Sequence, residues 1–468
     1  MDINKLFRFK HRPVEHTSKQ IEKEHPIRKL IVHYIVFSLL ILLMGKYWFA
    51  DSTNTFLYAY GVLVTLVILA TFFVAFVLYK DPYEEALKIG GGIEKNYKVS
   101  CLVAVKDEEG IIDRCIESFI HQTYQNKEII FINDASTDKT GEMMNRYVKE
   151  GYIKVIHLEK NLGKKKALAQ GMLVATGDIF AFSDSDSVLA KDAIEKIVKI
   201  FDVNQNIGAV SGHCRALNGD KNLITKAQDS WYEGQFSIRK AFESVFGAVT
   251  CVSGPLAVFR KEAIFNFIPA WEQDSFLGQE FRFATDRTLT GFVLGSKTIG
   301  DKLKKKYANS SFVTRVDYPL RDWKIVYCKA AKVWTSVPDT FGRVVKQQIR
   351  WKKSFIRNIF FTGAFYWRKP IIPALNYYLH ILFVLAGPFI AARHIIFLPI
   401  QGHLSAAFVY LAGIIMVGFM FGFAYKLEDK NSHRWIYRPL MSLLSTLVFS
   451  WLIFYSALTI KKMVWHRG

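Results

Sequence analysis

Apolar positions along this chain follow two patterns. The first is long and unbroken. Leu30–Phe49 and Leu57–Tyr79 run almost without charge, and further apolar runs follow at Ile371–Ala392, Leu404–Tyr425 and Leu440–Ile460. A helix of about 20 apolar residues crosses roughly 30 Å of hydrocarbon, so this pattern predicts membrane helices. The second pattern is short and punctuated. Val99–Val105, Glu128–Ile132, Ile153–His157 and the run ending at Phe182 read as buried strands. Between them, Ile111–Gln122, a stretch reaching about Glu150, and Lys165–Thr176 repeat at helical spacing. Strands alternating with helices predict a mostly parallel α/β sheet, with ligands beyond the carboxyl ends of its strands.

The first long run is too long for a cleavable signal peptide and lacks a small-residue cleavage site. Residues 1–29 carry Lys5, Arg8, Lys10, Arg12, Lys19, Lys23, Arg28 and Lys29, which predicts a cytoplasmic N-terminus. Two crossings over 30–79 would return the chain to the cytoplasm. There, residues 80–335 form a soluble domain, 336–370 lie at the interface, and 371–468 re-enter the bilayer. The expected protein is multi-pass, in the cell membrane, with its soluble domain inside.

Composition adds limits. The chain has 468 residues, 51% hydrophobic and 15% aromatic, too apolar for a disordered chain. Its formal charge of +21 suits anionic lipid and polyanionic substrates. Nucleic acid is the other partner such a charge could serve, but no recognised DNA- or RNA-binding motif is present, so none is expected. The five cysteines form no Cys-x-x-Cys and read as reduced thiols of a cytoplasmic domain.

Every polar cluster in the soluble region falls where a strand is predicted to end. Lys106-Asp107-Glu108 follows the first strand and Asp134 the second, carboxylates able to hydrogen-bond a ribose or a base edge. Asn161-Leu162-Gly163-Lys164-Lys165-Lys166 opens a helix, where free N–H groups and ammonium groups favour a diphosphate. The same lysines read equally well as a solvated helix start. Asp184-Ser185-Asp186 ends the last strand. If the chain stays extended through Ser185, both carboxylates point to one side and can hold one hard divalent cation. Alone, an Asp-x-Asp is an ordinary polar turn; its company makes it a candidate.

The order Asp134-Ala135-Ser136, Gly163-Lys164-Lys165, Asp184-Ser185-Asp186, Ser253-Gly254-Pro255-Leu256, Thr285-Asp286-Arg287 and Gln347-Gln348-Ile349-Arg350-Trp351 resembles the membrane-embedded family 2 glycosyltransferases. Within them it is most similar to the hyaluronan and chitin-oligosaccharide synthases, over roughly residues 95–360. The resemblance implies a GT-A fold, a UDP-sugar donor (UDP-GlcNAc, UDP-GlcA or both), Mn²⁺ or Mg²⁺, and a growing β-linked polysaccharide acceptor exported across the bilayer.

Carried onto these residues, it makes Asp286 the general base of an inverting transfer and Asp184 and Asp186 the metal ligands. Lys106, Asp107, Glu108, Asp134, Lys164, Lys165, Asp184, Ser253, Gly254, Pro255 and Arg287 would bind substrate. Gln347, Arg350 and Trp351, at i, i+3, i+4 on one helix face, would meet phosphate and sugar. The same helix reads as an interfacial one, with Phe355, Ile356, Ile359, Phe360 and Phe361 toward lipid and Lys352, Lys353 and Arg357 opposite.

Two departures from the family stand out, and one segment is unusual in itself. Thr285 replaces an acidic residue usual before the base. A basic insertion between Gly295 and Trp323 predicts a solvated loop near lipid headgroups. The last apolar run, polar with Ser442, Ser445, Thr446, Ser450 and Ser456, predicts a bent or re-entrant segment. Two other functions remain open: a transferase adding one sugar to a lipid carrier, and an inactive transporter or scaffold.

Overall fold

The computed structural model describes residues 55–90, 93–428 and 430–462. The first predicted membrane helix, Leu30–Phe49, and the basic segment before it lie outside the described residues. The chain divides into two units, Met1–Leu78 and Tyr79–Gly468. In the first, Thr55–Phe73 is an α-helix continued by a π-helical turn, Val74–Leu78. Among the described residues four helices are long and apolar enough to cross a membrane: Ala59–Ile89, Ile371–Ile400, Leu404–Leu427 and Arg434–Leu458.

The second unit is built on a sheet. Its strands in chain order are β1 Val99–Val105, β2 Lys127–Asn133, β3 Lys154–His157, β4 Ile179–Ser183, β5 Ser187–Leu189, β6 Ile207–Ala216, β7 Ala257–Arg260, β8 Ser275–Phe276, β9 Gln279–Glu280 and β10 Lys324–Thr335. Eight of them form one sheet in the order β3-β2-β1-β4-β7-β6-β10-β5, and β8 with β9 make a separate hairpin. Every neighbouring pair is parallel except those involving β5 or β7. The mostly parallel sheet expected from the alternation is therefore present. β1 and β4 are buried almost throughout, as strands covered on both faces must be.

Direction decides where the chemistry gathers. β1, β2, β4, β6 and β10 all end at one edge of the sheet. The reversed strands β5 and β7 begin at that edge, with Ser187 opposite Thr335 and Ala257 opposite Phe182. The clusters after β1, β2 and β4, the turn before β7 and the end of β10 are brought together by topology alone.

The basic insertion is not a loop. It forms the helices Ser296–Lys306 and Ser311–Thr314, anchored by Phe312 against Phe265, with ring centroids 5.1 Å apart. Lys304 is engaged by Asp317 and the Tyr318 carbonyl, while Lys302, Lys305 and Lys306 are exposed.

The helix Phe341–Phe361 also differs from a simple interfacial helix. Lys353 and Arg357, expected opposite the lipid face, are buried instead. Phe361 packs edge-on against Phe292 at 4.9 Å, and Ile356 joins a cluster of Phe281, Phe283, Ala284 and Ile460. Of its expected lipid-facing residues, Phe360 is the strongly exposed one, at 66%.

The C-terminal apolar run is broken. Helix Arg438–Leu447 gives way to a 3₁₀ turn, Phe449–Trp451, and then to Leu452–Leu458. Ser450 donates its hydroxyl to the Thr446 carbonyl at 2.6 Å, a back-bond that bends helices. The segment packs Met441 and Phe449 against Ala227 and Val344.

One buried carboxylate fastens the membrane helices to the sheet. Asp229, fully buried, accepts from Arg215 through both oxygens (3.0 and 2.9 Å), from the Ala216 amide (2.9 Å) and from the Tyr425 hydroxyl (3.0 Å). Arg434 also bonds to it. Burial works against ionisation here. The guanidinium groups of Arg215 and Arg434 outweigh it and hold this carboxyl well below the usual carboxylate range.

Candidate active site

The loops after β1 and β2 clasp each other. The Lys106 ammonium donates to the Ala135 carbonyl at 3.0 Å, and Asp107 accepts from the Thr137 amide at 2.7 Å. Asp107 and Ala135 both take positive φ, 52° and 56°, which turns the chain sharply at each strand end. Glu108 accepts from the Ser185 hydroxyl at 2.7 Å, so the first cluster holds the middle of the Asp-x-Asp.

Asp134 does not stand free for a ribose. Both of its oxygens are taken by backbone, accepting from Leu162 at 2.7 Å and Gly163 at 2.9 Å. The carboxylate shapes the turn that opens helix Lys164–Val174. That turn needs glycine, since Gly163 sits at φ +83°.

The three lysines of that helix separate at once. Lys164 forms an ion pair with Asp184. Lys165 turns into the core, donating to Asp274 at 2.7 Å and to the Phe281 carbonyl at 2.8 Å, while Arg357 bonds the other oxygen of Asp274. Burial pulls the Lys165 ammonium down to about 8. Lys166 pairs with Glu280 on the hairpin at 2.8 Å. Successive helical positions point about 100° apart, so three adjacent lysines cannot all face one phosphate. Lys164 faces the candidate site; Lys165, expected beside it, is a structural ion pair.

The Asp-x-Asp is a turn rather than an extension of β4. The Ser187 amide closes it by donating to the Asp184 carbonyl at 3.1 Å. The carboxylates lie two residues apart on this turn, and the charges of both act on Cys115, Cys214 and Tyr232. Asp186 accepts from the Thr335 hydroxyl at 3.0 Å. Two half-buried carboxylates, one already drawing an ammonium, make a hard, oxygen-only donor set that fits a divalent cation and leaves positions for phosphate. Among the described residues no group of three or more His, Cys, Asp or Glu side chains could hold a metal.

Asp286 lies in the first turn of helix Thr285–Leu294. Its Oδ1 accepts from the Arg287 amide at 2.7 Å. Its Oδ2 faces the Gly254 amide at 3.3 Å and the Cys251 thiol at 3.5 Å. Gly254 is the wall between the two acidic groups. A Cβ there would lie 3.0 Å from both carboxylate oxygens of Asp184, so only glycine fits without a shift. Pro255 accepts through its carbonyl from Ser183 at 2.7 Å, and Lys240 donates to the Ser253 hydroxyl at 2.6 Å.

The helix Phe341–Phe361 brings the last residues. Trp351 stacks on Trp231, with centroids 5.5 Å apart and planes 16° apart, and meets Tyr232 at 6.4 Å. Burial pushes the Tyr232 hydroxyl well up, with Asp186 and Asp184 adding to it and Arg350 opposing. Trp351 thus joins this helix to the Trp231–Tyr232 pair, and the charge of Arg350 acts on the same tyrosine. Gln347, one turn earlier, is half-buried. Trp231 and Tyr232 escaped the reading of the sequence, because adjacent aromatics on an amphipathic helix look like ordinary core. Lys240 escaped it too; its signal is a lysine interleaved with the apolar positions Phe236, Ile238, Ala241 and Phe242.

Residues 100–265 match the model of the family described as Glycosyl transferase family 2. The hyaluronan synthase of Streptococcus pyogenes is 27% identical over 448 residues, covering 94% of this chain and 96% of that protein. The poly-beta-1,6-N-acetyl-D-glucosamine synthase of Staphylococcus epidermidis is 27% identical over 276 residues, 59% of each chain. Among solved structures, a mannosyltransferase from Pyrobaculum calidifontis in complex with GDP-Man and Mn²⁺ aligns at a TM-score of 0.47 and 17% identity, covering 85% of this chain and 98% of that one. Residues 100–265 are thus a family 2 glycosyltransferase domain, and the chain that carries it is a membrane glycosyltransferase of the polysaccharide-synthase type.

Proposed function

We propose that this enzyme extends a β-linked polysaccharide from a UDP-sugar, by inversion, and passes the product into its own membrane helices. One observation carries the reading. Trp351, on the helix that leads to the membrane segments, lies against Trp231 and Tyr232, and the charges of the Asp-x-Asp reach that same tyrosine. A flat aromatic surface beside a diphosphate site is what a transferase needs to hold the end of a sugar chain.

In this mechanism Asp286 takes the proton of the acceptor hydroxyl as that oxygen attacks the anomeric carbon. The bond to the UDP diphosphate breaks on the opposite face of the sugar. Lys164 meets the departing charge, with Arg350 nearby. Asp184 and Asp186 would hold a Mg²⁺ or Mn²⁺ ion, whose chemistry is to neutralise that diphosphate. The Lys106–Asp107 and Asp134 loops shape the nucleotide end, and Ser253-Gly254-Pro255 runs between Asp184 and the base.

The catalytic body is cytoplasmic in this reading, as the basic N-terminal segment and Lys426, Lys430, Arg434 and Arg438 favour. UDP-GlcNAc and UDP-GlcA are the candidate donors. Arg239 bonds His380 of helix Ile371–Ala392 at 3.1 Å, and the charge of Arg287 acts on Arg239. Cations at the approach to a membrane helix suit a polymer that carries carboxylates.

The test is to supply UDP-GlcNAc, UDP-GlcA and UDP-Glc to the purified enzyme, singly and in pairs, and to size the product. We expect a long polymer, abolished by EDTA and by Asp186→Ala, with Mn²⁺ or Mg²⁺ restoring the chelated wild type. Single-sugar products on lipid would overturn the polymerase reading. Synthesis that persists in chelator would remove the metal from it.

A further inference from the structure

We propose that Lys240 is a positioning residue of the transfer reaction, acting on Asp286 through the Cys251–Gly254 loop; the proposal rests on Asp286 being the base. Lys240 ends the π-helical turn Gln235–Lys240, a form of helix often found at functional sites. The residue is buried, 8% exposed. An ammonium has three protons, and each finds an acceptor: Ser211 Oγ at 2.8 Å, the Cys251 carbonyl at 2.6 Å and Ser253 Oγ at 2.6 Å. The ammonium nitrogen also lies 4.5 Å from the centroid of the Phe236 ring.

All three acceptors are neutral. A buried cation bonded only to neutral groups is costly, and such costs persist where the charge serves a purpose. What the three bonds do is specific. One ties to β6, the central framework; the other two grip the loop at Cys251 and Ser253. The very next amide, Gly254 N–H, is the one aimed at Asp286 Oδ2, and the Cys251 thiol meets the same oxygen. Lys240 therefore fixes both neighbours of one carboxylate oxygen without touching it. The same loop sets how closely Gly254 approaches Asp184. The carboxylates of Asp286 and Glu243 are near enough to act on the ammonium electrostatically.

A double-mutant cycle tests this. Lys240→Met keeps the stem and removes the three bonds. We expect kcat to fall by about 10–100-fold while UDP affinity stays within about threefold of wild type. In an Asp286→Asn background the same change should cost less than about twofold, because the group it orients is already disabled. Multiplying losses would mean a merely structural lysine and overturn the proposal, as would wild-type turnover in Lys240→Met. If Lys240→Met fails to fold, seen as loss of UDP binding, Lys240→Arg decides. It retains the charge but cannot place protons on all three acceptors. Lost kcat with UDP affinity retained and the same non-additivity supports the proposal, and full turnover or additive loss overturns it. Asp286→Asn alone separates the two levels: if it turns over like wild type, the base assignment has failed, whatever Lys240 does.

Discussion

Asp286→Asn should lower turnover by about 10²–10⁴ while leaving UDP affinity nearly unchanged. The amide keeps the shape of the carboxylate and can still accept from Arg287 N–H, which lies 2.7 Å from Oδ1. It cannot take a proton. The groups proposed for the nucleotide, Lys164 with Asp184 and the Asp134 loop, belong to other strand ends and stay in place. Steady-state kinetics paired with UDP titration reads both quantities. Polymer synthesis within a few-fold of wild type would remove Asp286 from the role.

The largest effect on stability is expected at Asp229. Asp229→Ala leaves Arg215 and Arg434 without the carboxylate they share, and it removes the acceptor to which the Tyr425 hydroxyl donates. Breaking a buried ion pair from one side costs about 3–5 kcal/mol, more than deleting both partners would. Unfolding in detergent, followed by heat or denaturant, should show it; a variant as stable as wild type would mean the cluster contributes nothing. The pH dependence has a definite sign. The folded carboxyl is held below its unfolded value, so its contribution is complete above about pH 4 and is lost as pH falls through the folded value. Mildly acidic buffers should leave it intact.

The strand ends were legible because periodicity marks them. Val99–Val105 agrees residue for residue, and the run into Asp184 ends one residue earlier, at Ser183. Since every cluster follows a strand, topology carried the clusters to one edge without any side-chain detail. What periodicity could not show is which way a side chain turns at that edge. Lys164 and Lys165 look equivalent in sequence, yet one helical step separates a carboxylate at the site from a buried pair with Asp274. Asp134 looked free because the backbone amides it satisfies lie 28 and 29 residues away. Trp231 and Lys240 were hidden for a related reason. Trp351 comes from a distant segment, and the Cys251–Ser253 loop lies 11 to 13 residues beyond Lys240, past the reach of helical periodicity.

The break at Val448 has a consequence for parity. The segment leaves the catalytic body at Arg434, which bonds Asp229 and Asp220, and it comes back to that body at Ile460, packed among Phe281 and Phe283. Lys353 donates to the Lys462 carbonyl at 2.7 Å, fastening the return. A path that starts and finishes on one body has zero net passage, however deep it dips. We propose that Arg434–Lys462 is such an excursion, adding nothing to the count of crossings. A cysteine replacing Lys462 should then escape a membrane-impermeant thiol reagent on intact cells and react once the cells are opened; labelling from outside would mean the segment crosses.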